Sequence, residues 1–208
     1  MSYSIAESKE QIIDTISIGG IAIFPTDTVY GIGCKIDNRL GIELIYSLKN
    51  RPANMSIAVL VRCMESAAEL GTFTADQLNA LNNFWPGALT AIVNAKLDAV
   101  GYGISPDNSI GLRWPNKPEL NEIIKMTGPL ATTSVNIHGT KPAVCQQDIM
   151  NFLNGISGEN QIRISVLLGN DTLSRPSTVI DLRNEIVEVV REGYFSEEVI
   201  KKAFNSTR

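Results

Sequence analysis

Histidine is almost missing from this chain: His138 is the only one in 208 residues. A Ser-His-Asp relay would have to pass through it, and a histidine-based metal site would have a single ligand. Cysteine is scarce as well. Cys34, Cys63 and Cys145 are odd in number, widely spaced and without a C-x-x-C pair. That argues against a disulfide framework or a zinc knuckle and favours a reducing compartment. No apolar run approaches the roughly 18 residues that a membrane helix requires. The opening stretch, MSYSIAESKEQ, has neither the cationic start nor the apolar core of a signal peptide. The expectation is a cytoplasmic chain without a membrane segment. Excess positive charge is lacking too: the net charge of −4 gives no whole-molecule field for nucleic acid, although a local basic cleft stays open. Finally, there is no G-x-x-x-x-G-K-[ST] and no G-x-G-x-x-G opening a helix. Any phosphate bound here must be held mostly by side chains.

What is present is an ordinary globular composition, 44% hydrophobic and 19% charged, in a length that suits one well-cored domain. Apolar periodicity predicts a helix over 5–18, with Ile5, Ile12, Ile13 and Ile16 on one face and Gly19-Gly20 as its stop. A buried strand follows at 21–24, and PTDTVYGIG (25–33) reads as a glycine-containing loop. Residues 39–48 form a helix presenting Leu40, Leu44 and Leu48, 49–55 a loop and 56–61 a second strand. Further helices are expected over 74–84 with Thr74 as N-cap, 119–128 closed by Gly128, 146–154, and 196–204 capped by Ser196. Strands are expected at 88–95, 109–114, 129–135, 163–168, 177–182 and 185–191. Strands and helices mix irregularly. The expectation is a single α/β domain over 5–204, a twisted mixed sheet with flanking helices, rather than a regular βαβ winding.

Several polar clusters fall at strand ends, where open α/β sheets bind ligands. Thr26, Asp27, Thr28 and Tyr30 leave the first buried strand together. Thr and Asp also serve as plain turn residues, so this cluster alone has two readings. Lys49-x-Arg51-Pro52 could hold phosphate oxygens, Arg as a fork and Lys as a point charge, or could simply complement a helix end. Ser134 and Asn136 share a face if the strand runs through them. Ser177 sits at the mouth of another strand and Arg191 ends the next.

Taken in order, these pieces resemble the YrdC-type threonylcarbamoyl-adenylate synthases, from about Ile12 to Gly193. FPTDTVYGIG resembles the family's opening motif, LKNRP its K-x-R-P, WPGALT its P-G-x-L-T and GLRWP its R-x-P. TTSVNIHG resembles its S-A-N-x-S-G, and RPSTVIDL with VREG its closing pair. The resemblance implies a YrdC-like fold around a concave basic ligand cleft. It implies a nucleotidyltransferase reaction in which L-threonine and bicarbonate give a carbamate that attacks the α-phosphate of ATP, with pyrophosphate leaving. The adenylate would pass to a separate tRNA threonylcarbamoyl transferase, and the chain, ending a short helix after Gly193, resembles the compact form. Carried over residue by residue, Thr28, Tyr30 and Ser177 would bind threonine. Arg51, Thr90, Ser134, Asn136 and Arg191 would bind ATP, and Lys49 and Arg51 would carry the catalytic charge. ATP enters as substrate, Mg²⁺ is expected with its phosphates, no protein-built metal site is expected, and direct contact with tRNA stays open.

The sequence departs from the family pattern in three places. Met55-Ser56 stands where a Lys or Asn followed by Pro is common, Val135 replaces an alanine, and His138 replaces a serine. Two other readings compete. One is a paralogue of the same fold that binds RNA or handles another carbamoyl-adenylate. The other is a serine hydrolase built on Ser134.

Overall fold

The computed structural model describes residues 3–52, 55–96, 107–155, 162–169 and 175–205. The strands are β1 (Tyr3–Ala6), β2 (Ile21–Pro25), β3 (Tyr30–Lys35), β4 (Ala58–Leu60), β5 (Gly71–Thr72), β6 (Leu89–Ala95), β7 (Ser109–Arg113), β8 (Leu130–Ser134), β9 (Ile164–Leu167), β10 (Thr178–Asp181) and β11 (Glu188–Arg191). The amphipathic segments become α1 (Lys9–Ser17), α2 (Arg39–Leu48), α3 (Met64–Leu70), α4 (Ala75–Leu81), α5 (Pro118–Thr127), α6 (Gln146–Asn154) and α7 (Glu197–Asn205). Residues 53 and 54 of the expected 49–55 loop lie outside the described residues.

All the described strands join one mixed sheet in the order β1-β9-β2-β3-β8-β4-β7-β6-β10-β11, with β5 added against β6. The pairs β1–β9, β2–β9, β4–β7 and β6–β10 are parallel and the remaining pairs antiparallel. Near β2 both faces of the sheet are buried. Ile21 and Ile23 point to a core with Ile42 and Ile45 of α2 and Ile149 and Phe152 of α6. Ala22 and Phe24 point the other way, to Ile12 and Ile16 of α1 and Leu120 and Ile124 of α5. Near β6 the pattern changes: Leu89, Ala91 and Val93 join Leu81, Phe84 and Ile200 in a third core, and the residues between them face a cleft. Among the described residues, no helix is long and apolar enough to cross a membrane.

Local chemistry sets two of the helix ends plainly. Thr74 caps α4 in a capping box, its hydroxyl accepting from the Gln77 amide while the Gln77 side chain accepts from the Thr74 amide. Gly128 ends α5 at φ 84°, in the region glycine alone enters freely.

Four expectations are corrected. Ile5 is not on α1; it lies in β1 opposite Val166 and is 45% exposed, because edge pairing with β9 captures that segment before the helix begins. Leu40 does not face the core either. It is 66% exposed, and α2 buries Ile42, Ile45, Tyr46 and Leu48 instead. Residues 30–33 are strand rather than loop, so the turn between β2 and β3 is confined to Thr26–Val29. Gly31 and Gly33 serve close approach: a Cβ at Gly33 would sit 2.6 Å from Thr132 Oγ1 on β8. Finally, α3 and the short β5 form where no element was expected.

Candidate active site

Alternation along the strands builds the site. Where one residue of β6, β7 or β10 enters the core, the next faces a cleft of about 730 Å³. Thr90 and Ile92 come from β6, Ser109, Gly111 and Arg113 from β7, and Val179 from β10 with Ser177 just before it. The β2–β3 turn adds Thr28, the end of α2 adds Lys49 and Arg51, and β8 with its exit adds Ser134 and Asn136. Arg191, at the end of β11, completes the wall. All nine residues singled out from the sequence, Tyr30 included, line this one cleft. Its volume suits a ligand of nucleotide size.

The residues do different work there. Thr28 is fully buried; its hydroxyl accepts from Arg113 Nη1 at 2.8 Å and lies 3.0 Å from Thr26 Oγ1. Thr26 spends its own proton on the Val29 carbonyl, at 2.6 Å. Thr28 therefore donates to Thr26 and keeps acceptor capacity for a ligand. Tyr30 lines the cleft with its ring, while its hydroxyl donates to the Gly169 carbonyl at 2.8 Å and accepts from the Gly169 amide at 3.1 Å. Thr90 and Ser177 hydroxyls meet at 2.9 Å, and Arg191 Nη2 donates to the Ser177 carbonyl at 2.7 Å. Expected contacts to nucleotide and to threonine therefore converge on one hydroxyl pair.

Ser134 Oγ donates to Asn136 Oδ1 at 2.7 Å, and the Asn136 amide nitrogen donates to the carbonyls of Ile137 (2.9 Å) and Thr140 (2.8 Å). An amide oxygen is not a proton acceptor of the kind a serine nucleophile needs, so the hydrolase reading gains nothing here. His138 is exposed; it meets Lys49 through its backbone amide, which donates to the Lys49 carbonyl at 2.7 Å.

Arg113, within GLRWP, also lines the cleft, although it is not among the nine residues that the sequence points to. It is 6% exposed and forks to Asp27 Oδ1 (2.6 Å) and Thr28, with Nε on the Gly87 carbonyl at 3.0 Å. An arginine at an inward position of an apolar strand was the available signal, since such a charge is rarely buried without a partner.

The electrostatics are one-sided. Arg51, Arg113, Arg191 and Lys49 line the cleft; Asp27 alone supplies a carboxylate to this set, as Arg113's partner. Burial lowers the pKa of Arg191, and the charges of Arg113 and Arg51 lower it further. Burial, then Arg51, pushes the Lys49 ammonium down to about 8. Arg51 Nε is buried without a hydrogen-bond partner, while its Nη2 donates to the Ser56 carbonyl at 2.6 Å. Apart from the Arg113–Asp27 pair, these cations meet no carboxylate in the cleft lining, so its field favours anions. Among the described residues there is no cluster of three or more His, Cys, Asp or Glu that could hold a metal ion.

Fold and site define an α/β protein with a cation-lined cleft on one face of a mixed sheet. The chain belongs to the Sua5/YciO/YrdC family: the family model, described as telomere recombination, matches residues 14–193. It is 27% identical over 197 residues to a threonylcarbamoyl-AMP synthase of Vibrio cholerae, covering 91% of this chain and all of that protein. Among solved structures it resembles E. coli YciO, with a TM-score of 0.79 at 22% identity, covering 93% of this chain and 95% of that one. It also resembles P. abyssi Sua5 complexed with L-threonine, with a TM-score of 0.80 at 22% identity. That match covers 97% of this chain, which spans 59% of the P. abyssi protein.

Proposed function

We propose that this chain is an enzyme, a threonylcarbamoyl-AMP synthase that makes L-threonylcarbamoyladenylate and pyrophosphate from L-threonine, bicarbonate and ATP. The observation that carries this reading is the set of arginines, Arg51, Arg113 and Arg191, gathered in one cleft with a single carboxylate among them. Such a cleft suits a triphosphate, and the names of the family's relatives point to the same chemistry.

The reaction needs positioning and charge neutralisation more than a covalent nucleophile. The threonine amine adds to bicarbonate with loss of water, giving a carbamate. A carbamate oxygen then attacks the α-phosphorus, and the bond to the bridging oxygen breaks as pyrophosphate leaves. In the proposed arrangement Thr28 offers its acceptor lone pair to threonine, Ser177 faces the same half of the cleft, and the Tyr30 ring forms a wall. Arg51 and Arg191 take phosphate oxygens and absorb the charge that builds as pyrophosphate departs. Thr90, Ser134 and Asn136 shape the nucleotide half. Mg²⁺ would enter with ATP as part of the substrate. Its ligands would then be phosphate oxygens and water, since the nearby carboxylate of Asp27 already serves Arg113. The product would pass to a tRNA threonylcarbamoyl transferase in the cytoplasm.

The test is pyrophosphate release from purified protein and ATP. Release that requires threonine and bicarbonate together supports the reading; release with ATP alone, or with neither dependence, contradicts it.

A further inference from the structure

The ammonium of Lys49 has no proton left for a ligand. Lys49 caps the C-terminus of α2 and is 1% exposed. Its Nζ donates to the Ser134 carbonyl at 2.5 Å, the Asn136 carbonyl at 2.8 Å and Asn136 Oδ1 at 2.9 Å. An ammonium has three N–H groups, and all three end on protein oxygens. The backbone repeats the tie, because the Lys49 carbonyl accepts from the His138 amide. Asn136 is equally committed: its oxygen accepts from both Lys49 and Ser134, and its nitrogen spans two carbonyls.

We propose that Lys49 is a positioning residue, which stakes the segment from Ser134 to His138 to the end of α2 so that Ser134 and Arg51 open onto the same cleft, and that it carries no phosphate itself. The proposal rests on the reading of the cleft as a nucleotide site. It divides the labour of the K-x-R pair: the first cation holds the wall and the second meets the ligand. The lysine is suited to the task by shape. A compact ammonium sends three donors to three converging oxygens, whereas a planar guanidinium spreads its donors in a fork. Lysine to arginine is therefore not a conservative change here.

The experiment compares the wild-type chain with Lys49→Met, Lys49→Arg and Asn136→Ala. Amide hydrogen exchange of Val135, His138 and Thr140, all of them bonded in the structure, is read without any substrate. Dissociation constants for ATP are then read across a salt series, and kcat where turnover is measurable. The clamp predicts exchange faster by about 10- to 100-fold across this segment in Lys49→Met, the factor expected for stranding buried acceptors. It predicts no rescue by Lys49→Arg. The salt dependence of ATP binding should stay at the wild-type slope, since no phosphate contact is lost. Asn136→Ala keeps the lysine charge, yet should loosen the same amides and lower kcat. Unchanged exchange with a shallower salt slope in Lys49→Met would make Lys49 a phosphate ligand and overturn the proposal. If Lys49→Met does not fold, silent exchange in Asn136→Ala overturns it equally. The exchange result decides the clamp even in a protein that makes no adenylate, so failure of the synthase reading would show separately.

Discussion

The end of α2 brings two cations, Lys49 and Arg51, to the cleft only two residues apart, and the structure uses them in opposite ways. On the α2–β8 side, Lys49 is sealed in, with every N–H on a protein oxygen. Arg51, by contrast, leaves Nε without a partner and rests over the Tyr46 ring, with Cζ 5.7 Å from its centroid. Arg191 stands near it, tied chiefly to the Ser177 carbonyl. Arg113 lies between these extremes, engaged by Asp27, Thr28 and Gly87 but still lining the cleft. The difference teaches that a charge in a binding cleft is not thereby a charge for the ligand. Which cation is free depends on the carbonyls around it.

The strongest way to break this comparison is to remove the one counterion. Asp27→Ala should cost about 3–5 kcal/mol of folding stability, the usual penalty for leaving half of a buried ion pair behind. The two side chains are only 7% and 10% exposed, so solvent cannot substitute easily. Denaturant unfolding measures it, and a loss below about 1 kcal/mol, the range of a surface pair, would place Arg113 among the free cations. Arg51→Ala comes next. Its fold should survive, because little packing depends on the guanidinium, while kcat/KM for ATP drops about 100- to 1,000-fold. Near-normal kinetics would remove Arg51 from the reaction.

Smaller effects sharpen the division between the two halves of the cleft. Threonine should be preferred to serine by about 10- to 200-fold, the worth of one methyl in an apolar niche. Ser177→Ala should raise KM for threonine more than KM for ATP. The reverse would assign the Thr90–Ser177 hydroxyl pair to the nucleotide. The smallest change concerns Met55, whose thioether offers no donor where the family pattern implies one. Met55→Lys should lower KM for ATP by at most the equivalent of about 1.5–3 kcal/mol. The residue is 36% exposed, so screening trims that figure. An unchanged KM would show that this stretch does not reach the phosphates.

Much of the fold was legible because burial and period coincide. Apolar runs at 21–24 and 88–95 are strands, Thr74 caps its helix and Gly128 stops another. The failures have local causes. Ile5 fits the helical period of the residues after it, yet a strand partner 161 residues away claims it. Leu40 obeys its period but faces outward, because the sheet takes the adjacent stripe of Ile42 and Ile45. Gly31 and Gly33 look like turn residues and are strand residues pressed by Thr132. The cleft was legible in the same partial way. Motif order brought nine residues together, but the state of each depends on distant carbonyls that no local pattern reveals. Lys49 finds its acceptors 85 and 87 positions away.

The central claim is the chemistry of the cleft, and the product itself tests it most directly. Purified chain should be mixed with ATP, L-threonine and isotopically labelled bicarbonate, and the nucleotides read by mass spectrometry. The account predicts an adenylate containing one threonine and the labelled carbon, formed together with pyrophosphate and absent when any one substrate is withheld. ATP that stays intact, or yields an adenylate without the label, would contradict it.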